Sequence, residues 1–368
     1  MEEVAITGAA QAAGSAAPPP VNIADYERLA AEALPAGPLG YYAGGAGGER
    51  TLRENVDAWG RRRLRPRVLV DVGAVSTATT VLGTPVASPV LVAPTALQRM
   101  AHPDGEPAMA RAAAGAGTIM TLSTLATATP AEVAQAAPGA PRWYQLYITK
   151  DRGVSNALVE AAVDAGFTAI VVTVDAPVAG RRERDFRTGF RVPADLVMPA
   201  ITAALGRSGG VTVEDFFAVI DPTVTWHDLE RLAAECPLPV LVKGIQTGED
   251  AALACAHGAA GLVVSNHGGR QLDGVAATAE MLPEVIEAVD GRVEVLVDGG
   301  IRRGTDVLVA LALGARAVLV GRPALWGLAT GGEAGARDVL GLLQDEVARG
   351  LALLGCASPA QVTPQHIA

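Results

Sequence analysis

Ser265-Asn266-His267-Gly268-Gly269-Arg270 places an imidazole and a guanidinium three residues apart, with two glycines between them. An imidazole can take up a proton in the neutral range. A guanidinium can grip a carboxylate through two parallel hydrogen bonds. The glycines permit a bend sharp enough to turn both groups onto one ligand. A lone histidine is more often a satisfied structural residue. With Arg270 beside it and Asp175 available as a partner, His267 reads instead as a general base. Lys243, in Leu241-Val242-Lys243-Gly244, leaves more than one reading open. It can form a Schiff base with a carbonyl substrate. It can place a fixed positive charge beside an electron-accepting ring. The plainest reading is a salt-bridged core lysine.

A second chemistry lies further along. Asp298-Gly299-Gly300-Ile301-Arg302 and Gly321-Arg322 combine glycines with arginines. Glycines let backbone N–H groups approach an anion, and the guanidinium groups add charge-assisted bonds. The pattern reads as a phosphate site rather than as tight turns alone.

These residues share a position: each follows a short apolar run. The runs are Val90–Ala93, Ile119–Leu122, Trp143–Leu146, Ile170–Val174, Val240–Val242, Leu262–Val264, Val293–Val297 and Ala317–Val320. Runs apolar on both faces suit parallel strands covered by helices. Helical stretches fall between them at Gly105–Ala116, Val154–Ala165, Gly248–His257, Met281–Val289 and Gly304–Leu313. Eight strand–helix units favour a closed α/β barrel, the (β/α)8 TIM fold. Such barrels carry their active sites at the C-terminal ends of the strands. Pro94, Thr95, Ala96, Ser123, Gln145, Tyr147, Thr173, Asp175, Lys243 and Ser265 therefore gather with His267 at one mouth. An N-terminal helical cap is expected over Ala24–Ala33, followed by a glycine-rich turn and a connecting stretch. More than sixty residues separate Asp175 from Val240, with Gly206, Gly209 and Gly210 among them. A connection this long after the fourth strand reads as an active-site cover containing helical pieces.

The bulk composition sets the bounds. The chain has 368 residues, half of them hydrophobic, enough for one large core. A net charge of −10 argues against nucleic acid or an anionic membrane as the main partner. The arginine-rich run at 61–67 reads as solvated surface. Three cysteines without a CxxC pair give neither a disulfide framework nor a metal-ligand set, and a reducing, cytoplasmic setting fits them. No metal is expected. No apolar run reaches the roughly 20 residues of a membrane helix. Residues 1–20, rich in Ala, Gly and Pro, read as a disordered tail before one domain over 21–368.

Taken together, the motifs resemble those of the FMN-dependent 2-hydroxy acid oxidases and dehydrogenases. That family includes glycolate oxidase, lactate oxidase, mandelate dehydrogenase and flavocytochrome b2. The likeness runs from about Asp25 to about Gly355. It rests on YYAGGAGGE at 41–49, VAPTALQRMAHPDGE at 92–106, QLY at 145–147, TVDAPVAGRRERD at 173–185, LVKGI at 241–245, SNHGGRQLDG at 265–274, DGGIRRGTD at 298–306 and LVGRP at 319–323. The resemblance implies an FMN cofactor and a homotetramer. It makes His267 the base and Asp175 its orienting partner. Arg270 and Tyr41 would bind the substrate carboxylate, Tyr147 its oxygens, and Arg182 the carboxylate or the rim. Lys243 would stabilise negative charge on the reduced flavin. Pro94, Thr95, Ala96, Ser123, Gln145, Thr173 and Ser265 would contact the ring. Asp298 would hold the ribityl chain, with Gly300, Arg302, Gly321 and Arg322 toward the phosphate. Leu125 stands where glycolate oxidase carries Trp, which implies room for a bulky, mandelate-like L-2-hydroxy acid. Ala96, usual in the oxidases, implies O2 as acceptor and H2O2 as product. A dehydrogenase passing electrons to a quinone or carrier, and a Schiff-base aldolase on the same barrel, are the alternatives. An FMN- or phosphate-binding module without catalysis is disfavoured by the complete polar set.

Overall fold

The eight apolar runs become the eight strands of one closed parallel barrel. They are β1 (Val90–Val92), β2 (Met120–Leu122), β3 (Arg142–Leu146), β4 (Ala169–Thr173), β5 (Val240–Ile245), β6 (Gly261–Val264), β7 (Glu294–Val297) and β8 (Ala317–Val320). Closure comes from β8 on β1, with Val318, Leu319 and Val320 opposite Val90, Leu91 and Val92. No strand is left as an open edge in this sheet. The computed structural model describes residues 19–193, 195–208 and 211–368. The tail expected over 1–20 lies, up to residue 18, outside the described residues, as do Gly209 and Gly210.

Alternation along each strand sorts the side chains into two cores. Leu91, Ile119, Trp143, Val171, Leu241, Val263, Leu296 and Leu319 pack together, with Val81 and Val86 against them. Those two valines belong to a short hairpin, Thr79–Val81 with Thr84–Val86. Leu82 N donates to Glu294, the first residue of β7, at 2.8 Å. The hairpin therefore plugs the end of the barrel where the strands begin. The alternate residues, such as Val92, Leu122, Tyr144, Val172 and Val297, pack outward with the helices. Each fully buried aliphatic or aromatic side chain contributes roughly 1.5–3 kcal/mol.

The expected helices form at Gly105–Gly115, Arg152–Asp164, Gly248–Ala256, Thr278–Val289 and Gly304–Ala312. The cap helix α1 spans Ile23–Ala33 and starts at Asn22, whose side chain accepts from Asp25 N. The stretch after it differs from the expectation. It folds into α2 (Ala36–Ala43) and α3 (Arg50–Arg61) rather than remaining a turn and connector. Helix α2 contains two glycines and a proline, poor helix formers, and is held instead by burial of Tyr41 and Tyr42. The buried stripe of α3 is Thr51, Asn55, Ala58 and Trp59, mostly polar or small. The connection after β4 carries four helices, Glu183–Thr188, Pro199–Ala204, Val213–Val219 and Trp226–Glu235. Met198, Ile201, Phe216 and Ile220 pin it down. Arg61, Arg63, Arg65 and Arg67 of the basic run are exposed. Among the described residues no helix is long and apolar enough to cross a membrane.

Candidate active site

The C-terminal ends of the strands surround an open cleft with about 1140 Å³ of atom-free space, its mouth included. Every site residue anticipated from the sequence lines it except Asp175 and Ser265, whose side chains are buried. The barrel thus gathers side chains from residue 41 to residue 322 into one place.

His267 Nδ1 lies 2.8 Å from Asp175 Oδ1. Asp175 is almost fully buried, whereas His267 is 23% exposed and faces the cleft. His267 has φ of 58°, and Gly268 and Gly269 follow at 64° and 74°. Left-handed backbone costs a non-glycine residue about 1–2 kcal/mol, and such strain concentrates at functional sites. Here Ser265 Oγ accepts from His267 N at 3.0 Å and steadies the curl. Room for Asp175 comes from Gly244, whose added Cβ would sit 2.7 Å from Asp175 Cβ. Burial alone raises the Asp175 carboxyl. The His267 and Lys243 charges and the hydrogen bond outweigh it and hold the group below the usual carboxylate range.

Lys243 is buried, with Nζ 3.1 Å from Asp298 Oδ2 and donating to Ser265 Oγ at 3.0 Å. Burial pulls its ammonium down, but Asp298 and Asp175 more than reverse that, leaving it above the ordinary lysine value. A Schiff-base lysine needs the opposite shift. Lys243 is a fixed cation, salt-bridged and at the cleft wall.

Four arginines converge. Arg270 donates to Tyr41 O at 2.6 Å and Gly44 O at 2.9 Å, with its guanidinium 4.9 Å from the Tyr41 ring centre. Arg182 stands 5.3 Å from the same ring and pairs with Asp185 at 3.4 Å. Arg322 donates to the carbonyls of Tyr42, Gly268 and Gly44, each at 2.9 Å. Arg302 bonds its neighbour's carbonyl, Ile301 O, at 3.0 Å. Among the described residues Arg270, Arg302 and Arg322 make no ion pair within 4.0 Å. Burial, then Arg182, bring Arg270 down to about 10. Burial, then Arg270 and Arg302, hold Arg322 well below its ordinary value. Three buried guanidinium groups pressed together with no carboxylate of the described residues in direct contact favour an anion between them. Two further atoms fit a polar guest: Gln145 Nε2 and Asp298 Oδ1 are buried without partners, on residues of the cleft wall. An amide donor, a carboxylate acceptor, a buried ammonium and arginines beside glycine turns together suit a phosphorylated flavin.

Several supporting contacts were not anticipated from the sequence. Asn55 and Asn266 exchange amide hydrogen bonds, each 2.8 Å, tying α3 to the loop after β6. Buried Glu106 accepts from Gln98 N at 3.1 Å, Thr127 N at 2.8 Å and the Thr127 hydroxyl, and so ties the loops after β1 and β2. Phe217 reaches the cleft from the long connection. Polar motif ends give a signal for Asn266 and Glu106. Nothing local marks Asn55 or Phe217.

Gly300 has φ of 85°, and an added Cβ would fall 1.9 Å from Asn55 O. Left-handed strain and overpacking each cost about 1–3 kcal/mol. Gly300→Ala is therefore expected to lower the denaturation midpoint measurably in urea. A midpoint equal to that of the wild type would refute the close approach of α3.

Comparison with known proteins agrees with this geometry. Over 349 residues the chain is 50% identical to L-lactate oxidase of Nostoc sp., covering 92% of this chain and 95% of that one. It is 48% identical over 351 residues to glycolate oxidase 3 of Arabidopsis thaliana, covering 94% and 95%. The crystal structure of mandelate oxidase with (S)-4-hydroxymandelic acid superposes with a TM-score of 0.88 at 46% identity, over 95% of this chain and 98% of that one. The FMN-dependent dehydrogenase family pattern matches residues 30–368. The chain belongs to that family, and FMN is its cofactor.

Proposed function

We propose that residues 21–368, acting as one domain, oxidise an (S)-2-hydroxy acid to the 2-oxo acid and pass the electrons to O2, releasing H2O2. The observation that carries this reading is the His267–Asp175 contact opening onto the same cleft as Arg270. FMN supplies the acceptor for the two electrons that leave the substrate Cα. With Nδ1–H donated to Asp175, His267 keeps Nε2 as the acceptor for a substrate proton. Arg270, braced on two carbonyls and the Tyr41 ring, pairs with the substrate carboxylate, with Arg182 beside it. Burial holds the Tyr147 phenol above its ordinary value, so the hydroxyl stays protonated and donates to the substrate. On the cofactor side, Lys243 holds positive charge near the ring. Pro94, Thr95, Ala96, Ser123, Gln145, Thr173 and Ser265 shape or support its pocket. Asp298 accepts from the sugar-like chain, and Gly300, Arg302, Gly321 and Arg322 surround the phosphate. Overall, two electrons and two protons leave the hydroxy acid, and O2 takes up both.

Glycolate, which is achiral, and the separate enantiomers of lactate, mandelate and longer 2-hydroxy acids test the reading. Anaerobic flavin bleaching by (S)-acids with equimolar peroxide on aeration is the expected result. Bleaching without peroxide would replace O2 by a quinone or carrier. No bleaching by any 2-hydroxy acid would end the assignment.

Leu125 supports a bulky substrate, because it lines the cleft where a large side chain would close it. Leu125→Trp is expected to lower kcat/KM for mandelate by about 10–200-fold, the range for one misfit in an apolar pocket, and to leave glycolate little changed. Equal losses for both acids would reject Leu125 as a size filter. The reading also includes a homotetramer, on the family resemblance, and a cytoplasmic setting, on the three free cysteines. Sedimentation and cell fractionation test these.

A further inference from the structure

Away from the cleft, three side chains from two helices meet. His227 and Glu230 stand on Trp226–Glu235, and His257 caps Gly248–Ala256. His227 Nδ1 is 3.4 Å and His257 Nδ1 3.2 Å from one and the same oxygen, Glu230 Oε2. One ligand atom from each residue lies within 4.8 Å of the other two. Tetrahedral coordination at ~2.0–2.1 Å separates ligand atoms by ~3.3–3.4 Å. Two of the three edges already match that spacing. The third edge, at most 4.8 Å, closes with a small turn of His227, whose side chain is 86% exposed. His257, 20% exposed, is the fixed ligand. The Trp226 ring stacks on its imidazole at 6.1 Å and 15°.

We propose that His227, Glu230 and His257 form a surface site for a divalent transition cation of the Zn2+ class. Two imidazoles and one carboxylate suit Zn2+ better than Mg2+ or Ca2+, which favour all-oxygen shells. Three protein ligands leave a fourth position for water. The sequence offers no motif here, because His257 is 27 residues from Glu230. The helix Trp226–Glu235 is the last element of the cover. Trp226 and Leu229 bound a cavity of about 1210 Å³ that also touches Tyr147, Thr173 and Ala176. A cation at the three ligands would staple the end of the cover to the helix after β5.

The test is calorimetric titration of chelator-treated, FMN-loaded enzyme with ZnCl2, for wild type and H227Q/H257Q. Binding of one Zn2+ per chain in the micromolar range is expected. The double variant should bind at least ~10–100-fold more weakly, since loss of a mere outer-shell partner already costs that much. Its FMN content and turnover without zinc should match the wild type, which shows that it folds. Absence of stoichiometric zinc at micromolar concentrations would overturn the proposal. So would equal affinity in the double variant, which would place the metal elsewhere, such as at His267 and Asp175.

Discussion

His267→Gln is expected to slow anaerobic flavin reduction by substrate about 10²–10⁴-fold, the usual contribution of a positioned general base, while FMN stays bound. Glutamine is similar in reach and polar, so the loop keeps a side chain that can bond Asp175. It cannot take up a proton. The bonds that hold the loop, from Arg322 to Gly268 O and from His267 N to Ser265 Oγ, do not involve the imidazole. Flavin content, read from the visible absorbance of the purified protein, should therefore be unchanged. Stopped-flow bleaching measures the loss. A variant reduced at near the wild-type rate would move the base elsewhere, and a colourless variant would make His267 a structural residue.

Asp175→Asn should cost as much as the upper end of that range, about 10⁴-fold by analogy with acid-to-amide changes in other imidazole–carboxylate pairs. The carboxylate fixes which imidazole nitrogen carries hydrogen and offsets positive charge when the ring gains a proton. An amide keeps the shape and loses both effects. The pair also bears on stability. Asp175 is held below the ordinary carboxylate range in the folded protein. Its stabilising contribution is therefore complete above the unfolded value of about 3.9 and fades as pH falls through the lower, folded value. The stability gap between wild type and Asp175→Asn, from urea denaturation, should be full at neutral pH and shrink only below about pH 4. A gap already closing near pH 6 would mean that the carboxyl is not depressed. A small loss of rate with an intact fold would show that Asp175 does not orient the base.

The barrel was legible because parallel strands covered on both faces are short unbroken apolar runs. Val240–Ile245 and Glu294–Val297 differ from expectation only at their ends. The polar residues closing those runs named the cleft wall for the same reason. Helices α2 and α3 were not legible. Gly37, Pro38 and Gly40 argue against α2, and burial of Tyr41 and Tyr42 overrides them. In α3 the buried stripe includes Thr51 and Asn55, whose partners, Asp273 and Asn266, lie more than two hundred residues away. No local pattern reports such a partner. The same limit hid a further task of Arg322 beside the anion site read from the glycine–arginine pattern: three of its donors reach carbonyls.

The left-handed curl after β6 has a bearing on transplantation. An added Cβ on Gly269 would meet Leu52 N at 2.6 Å, and Gly269 O receives Ala46 N at 2.8 Å. Asn266 is locked to Asn55. The segment from Ser265 to Gly274 is thus moulded against residues 41–59 as well as held by its own bonds. Grafted alone onto a foreign barrel, it would lose its mould and hold neither imidazole nor guanidinium in place. A working transplant has to carry residues 41–59 with it.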